Sequence, residues 1–277
     1  MMQLPTLSIV TCSYRQGRFL GSTLRSVIEQ NYPALEYVVV DGGSDDNSVS
    51  VIRQYESALA YWVSEPDRGQ TDALVKGFKR TTGEIQGWLC SDDLLLPGAL
   101  ENVGRFFDAH PKVEWLYGDA LWIDAAGNPL RCKKEMPWSK TAFLFDHNYL
   151  AQPSVFWRRS LYERVGGLDI GLNLTMDADL WLRFARHSPP RHIPAYLSCM
   201  RYYPEQKTRS LKAEGRKEDE ALRHREAPRL SRLPRPPMRA LAKALRAGSK
   251  WVHGGYGAKV PAEFSAWLDA LAISGQG

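Results

Sequence analysis

Leu7-Ser-Ile-Val-Thr-Cys12, Leu35-Glu-Tyr-Val-Val-Val40 and Glu84-Ile-Gln-Gly-Trp-Leu-Cys90 are short, largely apolar runs, and each stops at a cluster of small polar residues. Tyr14 lies just past the first, Asp41-Gly42-Gly43 follows the second, and Ser91-Asp92-Asp93 follows the third. Short apolar runs bounded by turn residues predict strands buried on both faces. Between them the period changes. Leu20, Leu24, Val27 and Ile28 recur at helical spacing and predict a helix over about 18–30, closed by Asn31-Tyr32-Pro33. A second helix is expected over about 47–57, a strand over 59–64, and a third helix over about 71–81 after Glu65-Pro-Asp-Arg-Gly69. Strands alternating with helices at this spacing predict an α/β fold: a doubly wound, Rossmann-like, mostly parallel sheet flanked by helices.

Past Pro97 the pattern is looser. A helix to about His110, a strand over 113–117, a hairpin over 121–132 turning at Ala126-Gly127-Asn128, and a strand over 152–157 are expected. A helix over 175–187 carries Asp177 and Asp179 in its first turn, and a strand over 193–202 follows. This organisation predicts a catalytic domain over 1–205, with a nucleotide-binding half over 1–110 and a sugar and acceptor half over 111–205. A basic, partly helical extension over 206–277 follows, with Leu233-Pro-Arg-Pro-Pro237 read as a stiff linker.

Of 277 residues, 44% are hydrophobic and 24% charged, a globular balance that excludes wholesale disorder and collagen. No run approaches the about 18 apolar residues of a membrane span, and Met1 to Tyr14 lacks the pattern of a secretory signal. Cys12, Cys90, Cys132 and Cys199 form no C-x-x-C pair, so free thiols in a reducing, cytoplasmic setting are expected. The net charge of +5 is unevenly placed: residues 1–200 hold 20 basic and 23 acidic residues, whereas residues 201–250 hold 15 and 6. Positive charge confined to a tail argues against a nucleic-acid-binding body.

Ligands of open α/β sheets bind beyond the carboxyl ends of the strands, where the three polar clusters fall. Neighbouring carboxylates there suit a hard divalent cation, which prefers oxygen ligands and bridges to phosphate. Taken singly, each feature has an ordinary structural explanation: Asp-Gly-Gly-Ser is turn chemistry, and acids favour a helix N-terminus. No Gly-x-Gly-x-x-Gly and no Gly-Lys-Ser/Thr follows the first strand, which counts against dinucleotide and P-loop chemistry.

Their joint order is more specific. Ser8-Ile-Val-Thr-Cys-Ser-Tyr14, Val39-Val-Asp-Gly-Gly-Ser-Asp-Asp46, Ser64-Glu-Pro-Asp-Arg-Gly-Gln-Thr-Asp-Ala73 and Gly83-Glu-Ile-Gln-Gly-Trp-Leu-Cys-Ser-Asp-Asp93 come first. Gln152-Pro-Ser-Val-Phe-Trp-Arg158, Val165-Gly-Gly-Leu-Asp169 and Met176-Asp-Ala-Asp-Leu-Trp-Leu-Arg183 follow. Over about residues 5–205 this series resembles the family-2 glycosyltransferases, which have the GT-A fold. The resemblance implies inverting transfer of a hexosyl or N-acetylhexosaminyl group from a nucleotide-diphosphate sugar, UDP-sugar favoured. The acceptor would be a hydroxyl of a saccharide or lipid-linked saccharide, in surface polysaccharide or glycan biosynthesis. Thr11, Tyr14 and Asp41 would then hold the nucleoside, Arg68 would lie near the base, and Asp92 would face the ribose. Asp93 would ligate Mn2+ or Mg2+. Gln152, Gly167 and Asp169 would line the sugar and acceptor region, and Asp177 would be the general base, with Asp179 or Asp169 the next candidates.

Three positions depart from the pattern: Ser91 stands at the first acid of a strict Asp-x-Asp, Val75 where Asn is common, and Tyr203 where a His is common, with Arg201 a partial substitute. His192 is read as a surface residue at a strand start. Two other readings stand beside the leading one: a catalytically silent subunit that binds sugar nucleotide or glycan, and a nucleotidyltransferase, for which Ser13-Tyr-Arg-Gln-Gly17 is a poor triphosphate loop. Finally, Met238, Leu241, Leu245 and Val252 form an apolar helical stripe, with Arg239, Lys243, Arg246 and Lys250 elsewhere on the helix and Trp251 near its end. Such a helix suits either packing on the catalytic domain or a partner, or an anionic membrane surface and a peripheral place on its inner face.

Overall fold

A computed structural model describes residues 4–273. In chain order the first half runs β1 (Leu7–Ser13), α1 (Gly17–Ile28), β2 (Leu35–Asp41), α2 (Ser48–Gln54), β3 (Tyr61–Ser64), α3 (Gln70–Phe78), β4 (Ile85–Cys90), β5 (Leu94–Leu95) and α4 (Ala99–Ala109). The second runs β6 (Trp115–Ile123), β7 (Pro129–Lys133), α5 (Lys140–Phe145), β8 (Val155–Arg158), α6 (Arg159–Arg164), α7 (Met176–His187) and β9 (Arg191–Arg201). Four helices follow: α8 (Lys207–Ser210), α9 (Lys212–Glu226), α10 (Arg235–Val252) and α11 (Ala262–Ile273).

The strands form one sheet in the order β3-β2-β1-β4-β8-β6-β9-β5, with β7 paired to β6. The four N-terminal strands are parallel, as their unbroken apolar runs predict. From β8 onward the sheet is mixed: β8 is antiparallel to both β4 and β6, while β6 and β9 run parallel. Successive side chains of a strand point to opposite faces. Val10, Val38, Val40 and Trp88 therefore join one core with α3 and α7, whereas Ile9, Tyr37, Val39 and Leu89 join another with α1 and α4.

Three expectations are corrected. Gln152–Ser154 is a 3-10 turn and the strand starts only at Val155; Pro153 lacks the N–H that a ladder position requires. Leu233–Pro237 is no linker: Arg235, Pro236 and Pro237 open α10. Proline is tolerated in a first helical turn, where its missing N–H has no partner to lose. Nor is His192 a free surface side chain, because its Nε2 lies 2.9 Å from Asp119 Oδ1 and its ring stacks on Tyr117.

The basic segment is tied to the body. From α9, Arg225 pairs with Asp179 at 2.5 Å, and Glu226 receives Lys140 and Arg186. From α10, Arg246 pairs with Asp146 at 2.6 Å. The sequence stripe is inverted relative to the usual amphipathic arrangement. Ala242 is the fully buried residue of α10, while Leu241, Leu245, Trp251 and Val252 are exposed by 51%, 48%, 78% and 71%. Among the described residues no helix is long and apolar enough to cross a membrane.

Beneath α7 the indole of Trp181 stacks between Trp88 and Trp115, with centroids at 5.4 and 5.9 Å, and Trp157 closes the group at 5.5 Å. Truncation there leaves a void that Trp88, Trp115, Trp157 and Phe184 cannot fill by small shifts. Trp181→Ala is expected to lower the unfolding free energy by about 3–5 kcal/mol, measured by urea denaturation.

Candidate active site

The crevice lies where the carboxyl ends of β1, β2 and β4 meet the strap that leaves β9. At β2 the Asp41 carboxylate is fully buried. Its Oδ2 accepts from Gly43 N, Ser44 N and Ser64 Oγ at 3.2, 2.8 and 2.6 Å, and its Oδ1 accepts from Ser44 Oγ at 2.6 Å. Gly43 takes φ +78°, which a side chain would strain. Asp41 thus builds the wall of the crevice through its own loop. Thr11 is fully buried with its hydroxyl on Tyr37 Oη at 2.9 Å, on the sheet face opposite Cys12. Of the three residues expected at the nucleoside, Tyr14 alone presents an open ring, 53% exposed, with the Arg15 guanidinium over it and held by Asp45. Arg68 is exposed at the neighbouring loop and pairs with Asp72 at 3.1 Å.

At the end of β4, Cys90, Asp92 and Asp93 bring one ligand atom each within 4.8 Å of one another. Arg201 N–H donates to Asp93 Oδ1 at 2.9 Å, and the Tyr203 hydroxyl donates to Asp92 Oδ2 at 2.7 Å. The second oxygen of each carboxylate is left for another partner. Burial, and next the Asp92 charge, push the Asp93 carboxyl well above the usual range, against the pull of Arg201. A cation between the two acids would relieve that repulsion, and two open carboxylate oxygens are a fitting donor set for Mg2+ or Mn2+. Tyr203, standing where His is common, therefore orients Asp92. Arg201 does so for the turn, its guanidinium donating to Asp92 O, Asp124 O and Ala125 O at 2.8, 3.1 and 2.9 Å.

The far wall is the N-terminus of α7. Asp177 is half-buried, its Oδ1 accepting from Ala178 N and its Oδ2 from Asn148 Nδ2, both at 2.7 Å. Burial pushes its carboxyl up to about 6, opposed by these two donors and reinforced by Asp219. Asp179, one turn position away, is 1% exposed and clasped by Arg183 and Arg225 at 2.6 and 2.5 Å. Both of its oxygens are engaged by guanidiniums, so neither is open to an acceptor hydroxyl. Asp169 is exposed and accepts Gly171 N–H at 2.9 Å within its own loop. Gly167, at φ +72°, forms the tight turn against Tyr162, whose hydroxyl receives Leu168 N–H at 3.2 Å. Gln152 lies between the walls, its Nε2 donating to Trp88 O at 2.8 Å.

Sequence reasoning did not single out Asn148, Glu218 or Lys207. Glu218 of α9 accepts from the backbone of Asn173, Leu174 and Thr175 at 3.1, 2.9 and 2.9 Å, and so fixes the loop that enters α7. Lys207 of α8 donates to Asn173 O at 2.8 Å and to Gln70 Oε1 at 3.4 Å. Asn148 and Glu218 sit 29 and 41 residues from Asp177, in segments without motif character, and nothing local marks them.

Residues 8–116 match the family model described as Glycosyl transferase family 2. An uncharacterised glycosyltransferase of Mycobacterium tuberculosis is 30% identical over 199 residues, which are 71% of this chain and 75% of that one. A second, from Rickettsia typhi, is 28% identical over 193 residues, 66% of this chain and 60% of that one. Among solved structures, Staphylococcus aureus TarS 1–349 in complex with UDP-GlcNAc superposes with a TM-score of 0.65 at 17% identity, covering 98% of this chain and 79% of that one. The Pyrobaculum calidifontis mannosyltransferase PcManGT, in complex with GDP-Man and Mn2+, gives 0.63 at 20% identity, covering 99% and 87%. With its Rossmann-like half-sheet, the acid pair at β4 and these relatives, the chain belongs to glycosyltransferase family 2 and is a glycosyltransferase of the GT-A fold.

Proposed function

We propose that the enzyme is metal-dependent and inverting, and moves a sugar from a nucleotide-diphosphate sugar to a hydroxyl of a saccharide or lipid-linked acceptor. The observation that carries this reading is the pairing of unlike acids. Asp92 and Asp93 crowd at one wall, and a lone carboxyl raised to about 6, Asp177, stands at the other. Direct displacement asks for this division. A base on the acceptor side takes the proton of the attacking hydroxyl, and charge on the departing side is neutralised. Asp177 is ionised at neutral pH yet basic enough to accept a proton, and Asn148 fixes the plane of its carboxylate. Asp92 and Asp93, oriented by Tyr203 and Arg201, would hold Mn2+ or Mg2+, which when bound neutralises the diphosphate. Tyr14 and the Asp41 loop would cradle the nucleoside; Gln152, with the Gly167–Asp169 turn, would border the sugar and acceptor.

We further propose that α10 rests on an anionic membrane, placing the enzyme peripherally on the inner face beside a lipid-linked acceptor. Support comes from the outward stripe of Leu241, Leu245, Trp251 and Val252, on a helix whose Arg239 and Lys243 are also exposed elsewhere on its surface. Apolar insertion and attraction to anionic headgroups reinforce each other on such a helix.

Four outcomes are expected. Asp93→Ala abolishes the Mn2+-dependent part of nucleoside-diphosphate affinity in calorimetry; unchanged affinity removes Asp93 from the metal site. Asp177→Asn lowers kcat by about 10²–10⁴-fold with donor affinity nearly intact. In the unmodified enzyme kcat/KM falls by about tenfold per unit below pH 6, because the base is lost as Asp177 gains its proton. A loss of tenfold or less in the variant places the base elsewhere. Finally, the triple change Leu241→Ser, Leu245→Ser, Trp251→Ser abolishes co-sedimentation with vesicles rich in phosphatidylglycerol while the melting temperature stays put; undiminished sedimentation refutes the membrane role.

A further inference from the structure

The strap that leaves β9 is anchored at three points. Arg201 and Tyr203 hold the acid pair, and Lys207, four residues beyond Tyr203, reaches across to Gln70 at the start of α3 and to Asn173 in the loop before Asp177. A second tie, from Thr71 Oγ1 to Leu172 O at 2.6 Å, brings the same loop onto α3. The crossing stands beside the end of β4, where the Gln70 amide donates to Cys90 Sγ at 3.2 Å, two residues before the acid pair.

We propose that Lys207 binds the diphosphate of the nucleotide-sugar donor, as the protein's own cation opposite the acid pair; the inference rests on the donor-site reading above. Two other partly covered lysines have acid partners. Lys76 pairs with Glu65 at 2.8 Å, and Lys133 pairs with Glu135. Lys207 is half-buried, yet its hydrogen-bond acceptors are a backbone carbonyl and a side-chain amide, and among the described residues no carboxylate lies within ion-pair distance. Gln70, which it reaches, donates in turn to Cys90 Sγ at 3.2 Å, beside Cys12 at the carboxyl ends of β4 and β1, and the carboxylates that act on it electrostatically are Glu218 and Asp67. Its ammonium thus faces the floor of the crevice.

A half-buried ammonium with neutral partners is costly in a protein interior, because dehydration is not returned by an opposite charge. Burial accordingly holds Lys207 below the ordinary lysine range. An anion arriving in the crevice reverses both effects. Of the parts of a nucleotide sugar, the diphosphate carries the charge. A lysine at the phosphates presents a point charge with rotatable donors, which suits a group that changes position as it departs. The two present contacts of Lys207, one of them at 3.4 Å, go to neutral acceptors that an anionic ligand can outcompete.

The competing account is that Lys207 merely staples α8 to α3 and to the Asn173 loop. The two separate on the number of phosphates in the ligand. UDP, UMP, GDP and GMP are titrated calorimetrically, each with Mn2+, against the full-length enzyme and against Lys207→Met and Lys207→Arg. In the parent protein one diphosphate binds more tightly than its monophosphate. Lys207→Met is expected to weaken that diphosphate by about 10- to 100-fold, the scale of a lost charged hydrogen bond, and to leave the monophosphate within twofold. Lys207→Arg is expected to recover most of the loss. Equal weakening of both nucleotides, or no weakening of the diphosphate, overturns the assignment and leaves Lys207 a staple. If neither diphosphate binds the parent protein, the donor-site reading itself falls and this inference with it.

Discussion

The buried guanidinium of Arg201 joins the two halves of this protein at the point where its chemistry is set. It is the last residue of β9, and it reaches back to the turn that ends β4, more than a hundred residues earlier. Its N–H holds one oxygen of Asp93, and its side chain satisfies three backbone carbonyls from the Asp92 turn and from the β6–β7 turn. Phe19 of α1 lies under its plane at 4.5 Å. Burying a cation is tolerable only when its donors are used, and here carbonyl dipoles and two nearby acids do so. Without it, two carboxylates would face each other at a strand end with no compensating charge from the protein.

The same economy of charge explains why neighbouring acids on α7 differ. Asp177 and Asp179 lie two residues apart in one helical turn, so they project to different sides. Asp179 turns inward and meets Arg183 from its own helix and Arg225 from α9. Asp177 turns to the crevice and meets an amide, Asn148, with no cation. Burial without a counter-charge raises the Asp177 carboxyl, whereas both oxygens of Asp179 are engaged by guanidiniums. The helix that supplies Arg225 and Glu218 belongs to the basic extension. That extension therefore shapes the α7 wall of the site as well as adding a surface to the molecule.

Much of this was legible in the chain. The parallel half-sheet follows from apolar runs that need no partner information beyond their own period, and the polar clusters at their ends marked the crevice. A strand over Gln152–Trp157 starts too early, because the apolar content of the run does not register the N–H that Pro153 lacks. The Leu233–Pro237 segment looked like a linker because proline content does not reveal whether a helix begins there. The Met238–Val252 stripe was visible, but its outward direction was not. Helical periodicity defines a face without saying what it meets, and here Asp146 and Ala142's helix α5 meet the side that carries Ala242 and Arg246.

The sequence by itself determined the alternation of strands and helices, the placing of acids past strand ends and the family, since each is written in local order and spacing. Tertiary structure decided which acid stands free and which is neutralised. It also decided that Thr11 and Asp41 are consumed by their own surroundings, and that Asn148, Glu218 and Lys207 converge on the crevice. Those outcomes depend on charge and burial supplied by residues distant in sequence, and a carboxyl's chemistry follows from its neighbours in space.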